Sequence, residues 1–291
     1  MLSKTIDNAI DNTPILQEKG AQTAKAIHQL VLSGGKPARK AFDFLHGTWL
    51  GHPIHPLLTD IVVGAWSLGA LFDVLSLGDK SSATQKTADT LTAIGTAAVI
   101  PTALTGMADF STIPKSSAGT GLAHAVAADI SLGLYLMSLF ARKKEQRGWG
   151  IFWSMLGFSV MTLGAYLGGH LVFKKKVGVN RLSPSTPAQE WTAVLDDADL
   201  LENQPETVTV DEQSILLYRK EGRIYAVGAF CPHAEAPLAD GTFCEGYVEC
   251  PWHQSVFNLS DGSVVHGPST YPLPSFDARI RDGRIEIRAA G

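Results

Sequence analysis

Two short segments of the chain pair a cysteine with a histidine: Cys231-Pro232-His233 and, after 16 intervening residues, Cys250-Pro251-Trp252-His253. Such a set can serve two metal positions at once. One iron of a sulfide-bridged pair would take both thiolates and the other both imidazoles, each shell being completed to a tetrahedron by the bridging sulfides. Zinc is the competitor for two Cys and two His, but zinc sites are commonly built from separate Cys-x2-Cys and His-x3-His pairs, whereas each segment here mixes the two ligand types. The remaining cysteine, Cys244, reads as a free buried thiol, because three cysteines are too few for a disulfide framework.

A second group of ring nitrogens lies beside apolar stretches. Residues 56–77, 90–108, 122–141 and 149–173 each come near the roughly 20 residues that a bilayer-crossing helix needs, and the last holds no Asp, Glu, Lys or Arg. Gly164 and Gly168 have the small-xxx-small spacing that lets helices approach closely. Pro101 predicts a kink in the second span. His52 and His55 precede the first span, His124 opens the third and His170 nearly closes the fourth. Because alternate spans run in opposite directions, His55, His124 and His170 fall near one depth at about 1.5 Å of rise per residue. Imidazoles on facing helices can ligate haem b or another metal; the plainer reading is interfacial histidines that pack loops onto helix ends. Asp60, Asp73, Asp109 and Asp129, in or beside the spans, are expected to face a polar cavity or a partner.

Residues 1–51 are polar, with charges throughout and no apolar signal-peptide core, so the first span is expected to act as the insertion signal. Within them KPARKAFDFL (36–45) sets Arg39 and Lys40 beside Phe42 and Phe44, which suits a surface-lying approach to the membrane or a solvated helix. Four spans put both termini on one side, which carries eight nearby Lys and Arg (36, 39, 40, 115, 174, 175, 176 and 181) against six (80, 86, 142, 143, 144 and 147) on the other. That balance favours a cytoplasmic position for the termini. After Lys174–Lys176 comes a tether over 177–189, rich in Ser and Pro, and from 190 onward short strands (207–210, 214–218, 224–229, 284–288) alternate with the turn signals Glu221-Gly222, Asp261-Gly262 and Asp282-Gly283. The expected architecture is an all-α four-helix transmembrane bundle (52–176) followed by an all-β module (190–291).

Charge follows the same division. Residues 1–181 carry 17 basic and 11 acidic side chains and residues 182–291 carry 7 and 17, a net +6 and −10. An acidic β module repels phosphate, so no nucleic-acid partner is expected.

The His52-Pro53-Ile54-His55-Pro56 opening, followed by LLTDIVVGAWSLGALFDVLSL, resembles an uncharacterised bacterial family of four-helix membrane domains, over residues 52–176. The resemblance implies the four spans and no activity. Over residues 190–288 the chain resembles the Rieske [2Fe-2S] family, through both ligand segments, the strand and turn after the second, the Gly267-Pro268 loop and the closing strands. That resemblance implies a [2Fe-2S] cluster with Cys231 and Cys250 on the inner iron and His233 and His253 on the outer, exposed one. The respiratory branch of the family carries an extra disulfide where this chain has Ala236 and Trp252. It also donates hydrogen bonds to the cluster from a Ser and a Tyr; Ser255 matches the first, but Phe257 stands at the second place. The ferredoxin branch is implied, with a potential toward the lower part of the roughly −150 to +300 mV Rieske span.

These readings converge on a multi-pass protein of the bacterial inner membrane, its Rieske module cytoplasmic, carrying single electrons between a membrane redox partner and another protein. The acidic module favours a basic partner. Two alternatives stand beside it: a quinol- or haem-linked membrane oxidoreductase using His55, His124 and His170 as a second redox site, and an iron-sulfur redox sensor. An oxygenase is not expected, since no further domain with a 2-His-1-carboxylate site follows Arg288, and no GxGxxG unit offers a nicotinamide site.

Overall fold

The structure, a computed structural model, describes residues 9, 10, 13–79, 81–182 and 190–290. Most of the expected tether, Lys80 and the charges at Lys4, Asp7 and Asp11 lie outside the described residues. Six described helices are α1 (Pro14–Ser33), α2 (Gly35–His46), α3 (His55–Gly78), α4 (Ser82–Ser111), α5 (Ala118–Lys143) and α6 (Arg147–Phe173). The chain forms two compact units, one of Met1–Ser33 with Ile54–Val177 and the other of Gly34–Pro53 with Gly178–Gly291. The expected leading segment is thus divided: α1 belongs to the helical unit and α2 to the β unit.

In the helical unit, α3 packs along α4 and α5 along α6, and each of α3 and α5 also touches the other hairpin's second helix. The diagonal of the bundle therefore runs between α3 and α5. Four helical segments, His55–Gly78, Ser82–Ser111, Lys115–Lys143 and Arg147–Phe173, are long and apolar enough to cross a membrane. Their polarity is inverted relative to a water-soluble bundle. Thr92, Thr96, Thr105, Ser131, Ser138 and Ser154 are buried inside, while Leu71, Val74, Ile100, Leu104, Ile130 and Phe152 face outward. Interior hydroxyls find acceptors on their own helix, as Thr96 does at Thr92 O and Ser131 at Ala127 O, or on a neighbour, as Ser138 does at Gly150 O, so burial leaves them satisfied. The helix α4 runs on through Pro101.

Asp73 is fully buried at one end of the bundle, where Arg142 and Arg147 donate to its carboxylate, as does the Ser154 hydroxyl. Both arginines also reach Asp89. All four helices contribute to this network. The expectation of a polar partner holds for Asp73, whereas Asp60 and Asp129 lie on exposed faces. Arg142, counted above among the charges beside the spans, is an interior residue with a side chain 5% exposed.

The β unit contains β1 (Thr192–Asp196), β2 (Pro205–Val210), β3 (Gln213–Lys220), β4 (Arg223–Gly228), β5 (Thr242–Cys244), β6 (Tyr247–Glu249), β7 (Val256–Asn258), β8 (Val264–His266), β9 (Ser275–Arg281) and β10 (Arg284–Ala289). A six-stranded sheet of order β1-β10-β9-β4-β3-β2 and a four-stranded meander β5-β6-β7-β8 result. Tight turns close the hairpins where the sequence signals them: Glu221-Gly222 and Asp282-Gly283 take positive φ at both residues, the twist that suits two-residue hairpins. Strand β3 is buried on both faces. Ile215 and Leu217 meet Ile285 and Ile287 on one side, and Leu216 and Tyr218 meet Val227, Val248 and Phe257 on the other. The second of these cores also contains Cys231 and Cys250.

Candidate cluster site

The first ligand segment leaves the large sheet just after β4, and the second joins β6 to β7 in the small sheet. Both fold alike. In the first, the Cys231 amide donates to Ala236 O and the Glu235 amide to Cys231 O; in the second, the Cys250 amide donates to Ser255 O and the Gln254 amide to Cys250 O. Glu235 and Gln254, each four residues after its cysteine, take positive φ of 62° and 58°. Two equivalent loops thus present their cysteines from opposite sheets toward one core.

Cys231 and Cys250 are 1% and 2% exposed. Amides of His233 and Ala234 are directed at the Cys231 sulfur, and those of Trp252 and His253 at the Cys250 sulfur. Such donors stabilise sulfur in its anionic, metal-binding form. The two thiols also share a hydrogen bond, which together with burial pushes Cys231 up and which, against the opposing effect of burial, holds Cys250 down at about 7. The His233 and His253 rings stand 4.9 Å apart, nearly perpendicular, with both Nδ1 atoms buried. Paired sulfurs inside and paired imidazoles outside fit a binuclear cluster that takes two protein ligands per iron.

The comparisons agree with this geometry. Residues 190–277 match the Rieske [2Fe-2S] domain. Over 98 residues the chain is 32% identical to the ferredoxin component of the naphthalene 1,2-dioxygenase system of Pseudomonas putida, covering 34% of this chain and 94% of that one. The chain belongs to the Rieske [2Fe-2S] family. Its Rieske domain carries a [2Fe-2S] cluster and serves electron transfer. Apoptosis-inducing factor 3 of Mus musculus is 36% identical over 92 residues, 32% of this chain, which spans only 15% of that protein's length. Among solved structures, the ferredoxin of carbazole 1,9a-dioxygenase from Nocardioides aromaticivorans IC177 is 27% identical with a TM-score of 0.33, covering 36% of this chain and 100% of that one. Residues 51–181 match a predicted membrane protein family, DUF2231.

Around the Rieske loops the structure corrects two expectations. Cys244 is exposed, because it ends the edge strand β5 with its side chain on the outer face. The segment 36–45 packs within the β unit: Arg39 donates to Gln254 O in the second ligand loop and pairs with Glu249, while the Asp43 carboxylate accepts from His266 Nδ1 at 2.7 Å and the Gly267 amide at 2.9 Å. Thr48 and His46 crowd the same Gly267, where an added Cβ would lie 3.0 Å from Thr48 Cγ2. Ser255 is buried and its Oγ accepts from the Ser269 amide, leaving its hydroxyl proton for another acceptor; Phe257 is wholly buried.

Sequence reading missed Arg39, Asp43 and His266. The one available signal was the i, i+4 spacing of Arg39 and Asp43, which puts both on one helix face. Asp43→Ala leaves the Gly267 amide without its acceptor and should lower the stability of the Rieske domain by about 2 kcal/mol. Thermal loss of the cluster absorbance in the full chain measures this, and an unchanged midpoint would remove α2 from the loop's support.

In the helical unit, His55 and His124 come together with ring centroids 6.3 Å apart. His170 does not join them as a third member of a metal-binding group; it is buried against Tyr166 of its own helix, four residues back. Equal depth along the spans did not fix the direction in which each ring points.

Proposed function

We propose that this protein is a membrane-anchored, one-electron carrier of the ferredoxin type. In this reading Cys231 and Cys250 hold the buried iron, and His233 and His253 hold the outer one. The cluster stores a single electron. The observation that carries the assignment is the pair of matched loops that places two buried sulfurs and two neighbouring imidazoles together. Trp252, next to His253 in the second loop, is 53% exposed, an apolar surface that suits a docking protein. Relatives named as ferredoxin components of dioxygenase systems support an oxygenase or another redox protein as the electron acceptor. The net −10 of residues 182–291 favours a partner with a basic face.

Membrane anchoring is supported by the four apolar helices and their inverted polarity, and a cytoplasmic Rieske domain in a bacterial inner membrane rests on the eight-to-six balance of Lys and Arg beside the spans. The test is a reductive titration of the full chain, purified from the alkali-washed membrane fraction, followed by EPR. One electron per chain and a Rieske signal are expected; a chain washed off the membrane or lacking the signal would overturn the reading.

Phe257 supports a low potential, since it has no hydroxyl to stabilise the more negative reduced cluster. Phe257→Tyr should raise the midpoint if its hydroxyl reaches a cluster sulfur. A hydrogen bond favouring the reduced form by about 1 kcal/mol corresponds to about 40 mV for one electron. A redox titration followed by EPR reads the shift, and a lowered midpoint would refute the argument.

A further inference from the structure

The diagonal between α3 and α5 carries two ring pairs. Trp66 and Tyr135 stack in contact with centroids 3.8 Å apart, and 11 residues earlier on both helices stand His55 and His124. The same device flanks each level. Gly95 of α4 and Gly157 of α6 abut Trp66 and Tyr135, while Gly106 and Gly168, 11 residues further along those helices, abut His55 and His124. An added Cβ at Gly106 would fall 2.8 Å from His55 Cε1, and one at Gly168 3.2 Å from His124 Cε1. At each level the glycine lets the ring lie directly against the backbone of the neighbouring helix, and at His55 the Thr105 hydroxyl of α4 also stands 3.5 Å from Nδ1.

The imidazoles are fixed in one tautomer. His55 Nδ1 lies 3.0 Å from Thr102 O and His124 Nδ1 lies 2.8 Å from Gly164 O. A carbonyl only accepts, so each Nδ1 is the protonated nitrogen and each neutral ring keeps its lone pair on Nε2. Metal-binding histidines are commonly oriented in this way. A ligating imidazole nitrogen sits about 2.0 Å from its metal and about 1.1 Å from its ring centre, so rings on opposite sides of one ion have centres about 6.2 Å apart, against about 5 Å at a tetrahedral ion. The separation of 6.3 Å matches the trans arrangement. Trans imidazoles with a small-residue flank on both remaining helices suit a flat tetrapyrrole.

We propose that the helical unit binds one b-type haem through His55 and His124. This goes beyond electron transfer by the Rieske domain and does not depend on its ligand assignment. The test is expression of the full chain with δ-aminolevulinate, purification in mild detergent, and pyridine haemochrome and EPR measurements on the same samples. About one low-spin haem per chain is expected. His55→Ala and His124→Ala should each lower haem content by about tenfold or turn it high-spin, while His170→Ala retains the low-spin spectrum. The Rieske EPR signal monitors folding independently and should persist in all three. A haem-free protein with an intact Rieske signal would overturn the proposal, as would haem retained low-spin in both variants or metal analysis finding zinc or copper at the pair instead.

Discussion

Cys250→Ser is expected to eliminate the Rieske EPR signal and the visible absorbance, with iron and labile sulfide falling from two of each per chain to near zero. The residue is 2% exposed in the core shared by the two sheets, so no solvent ligand can replace its sulfur without opening that core. Serine keeps the shape but ionises far less readily, so the amides of Trp252 and His253 would face a neutral hydroxyl rather than a thiolate. Cys244→Ser supplies the contrast. That thiol is exposed on an edge strand away from both loops, and its loss should leave spectra and metal content unchanged. Equal cluster content in the two variants would refute the ligand assignment.

The contrast between these cysteines also marks how far sequence alone could reach. The two Cys-His loops were legible as a pair because each needs few residues, all local in the chain. Hydrophobic length revealed the four long helices for the same reason: the signal lies within each segment. Cys244 was misjudged because burial of a strand residue depends on which face its sheet covers, and β5 pairs only with β6. Arg39 and Asp43 were missed for a different cause. Their partners Gln254, His266 and Gly267 lie 215 to 224 residues away, and an amphipathic helix reads alike whether it lies on lipid or on protein. His170 shows the limit of depth arguments, since about 100° of rotation per residue decides which neighbour a ring meets.

Asp73→Ala should be the most damaging single change in the helical unit. Arg142, its side chain 5% exposed, and Arg147 would then lose their fully buried carboxylate, and breaking a buried ion pair from one side costs about 3–5 kcal/mol. The network predicts an order as well as a magnitude. Arg142→Ala is less severe, because Arg147 and the Ser154 hydroxyl still face Asp73. Asp89→Ala is milder again, since its side chain is 41% exposed and both arginines keep Asp73. Apolar replacement of Asp73, Arg142 and Arg147 together should recover part of the loss by leaving no unpaired interior charge. Thermal unfolding of the full chain in detergent, followed by tryptophan fluorescence, gives the ranking. If Asp89→Ala proved as harmful as Asp73→Ala, the buried carboxylate would not be the centre on which these four helices close.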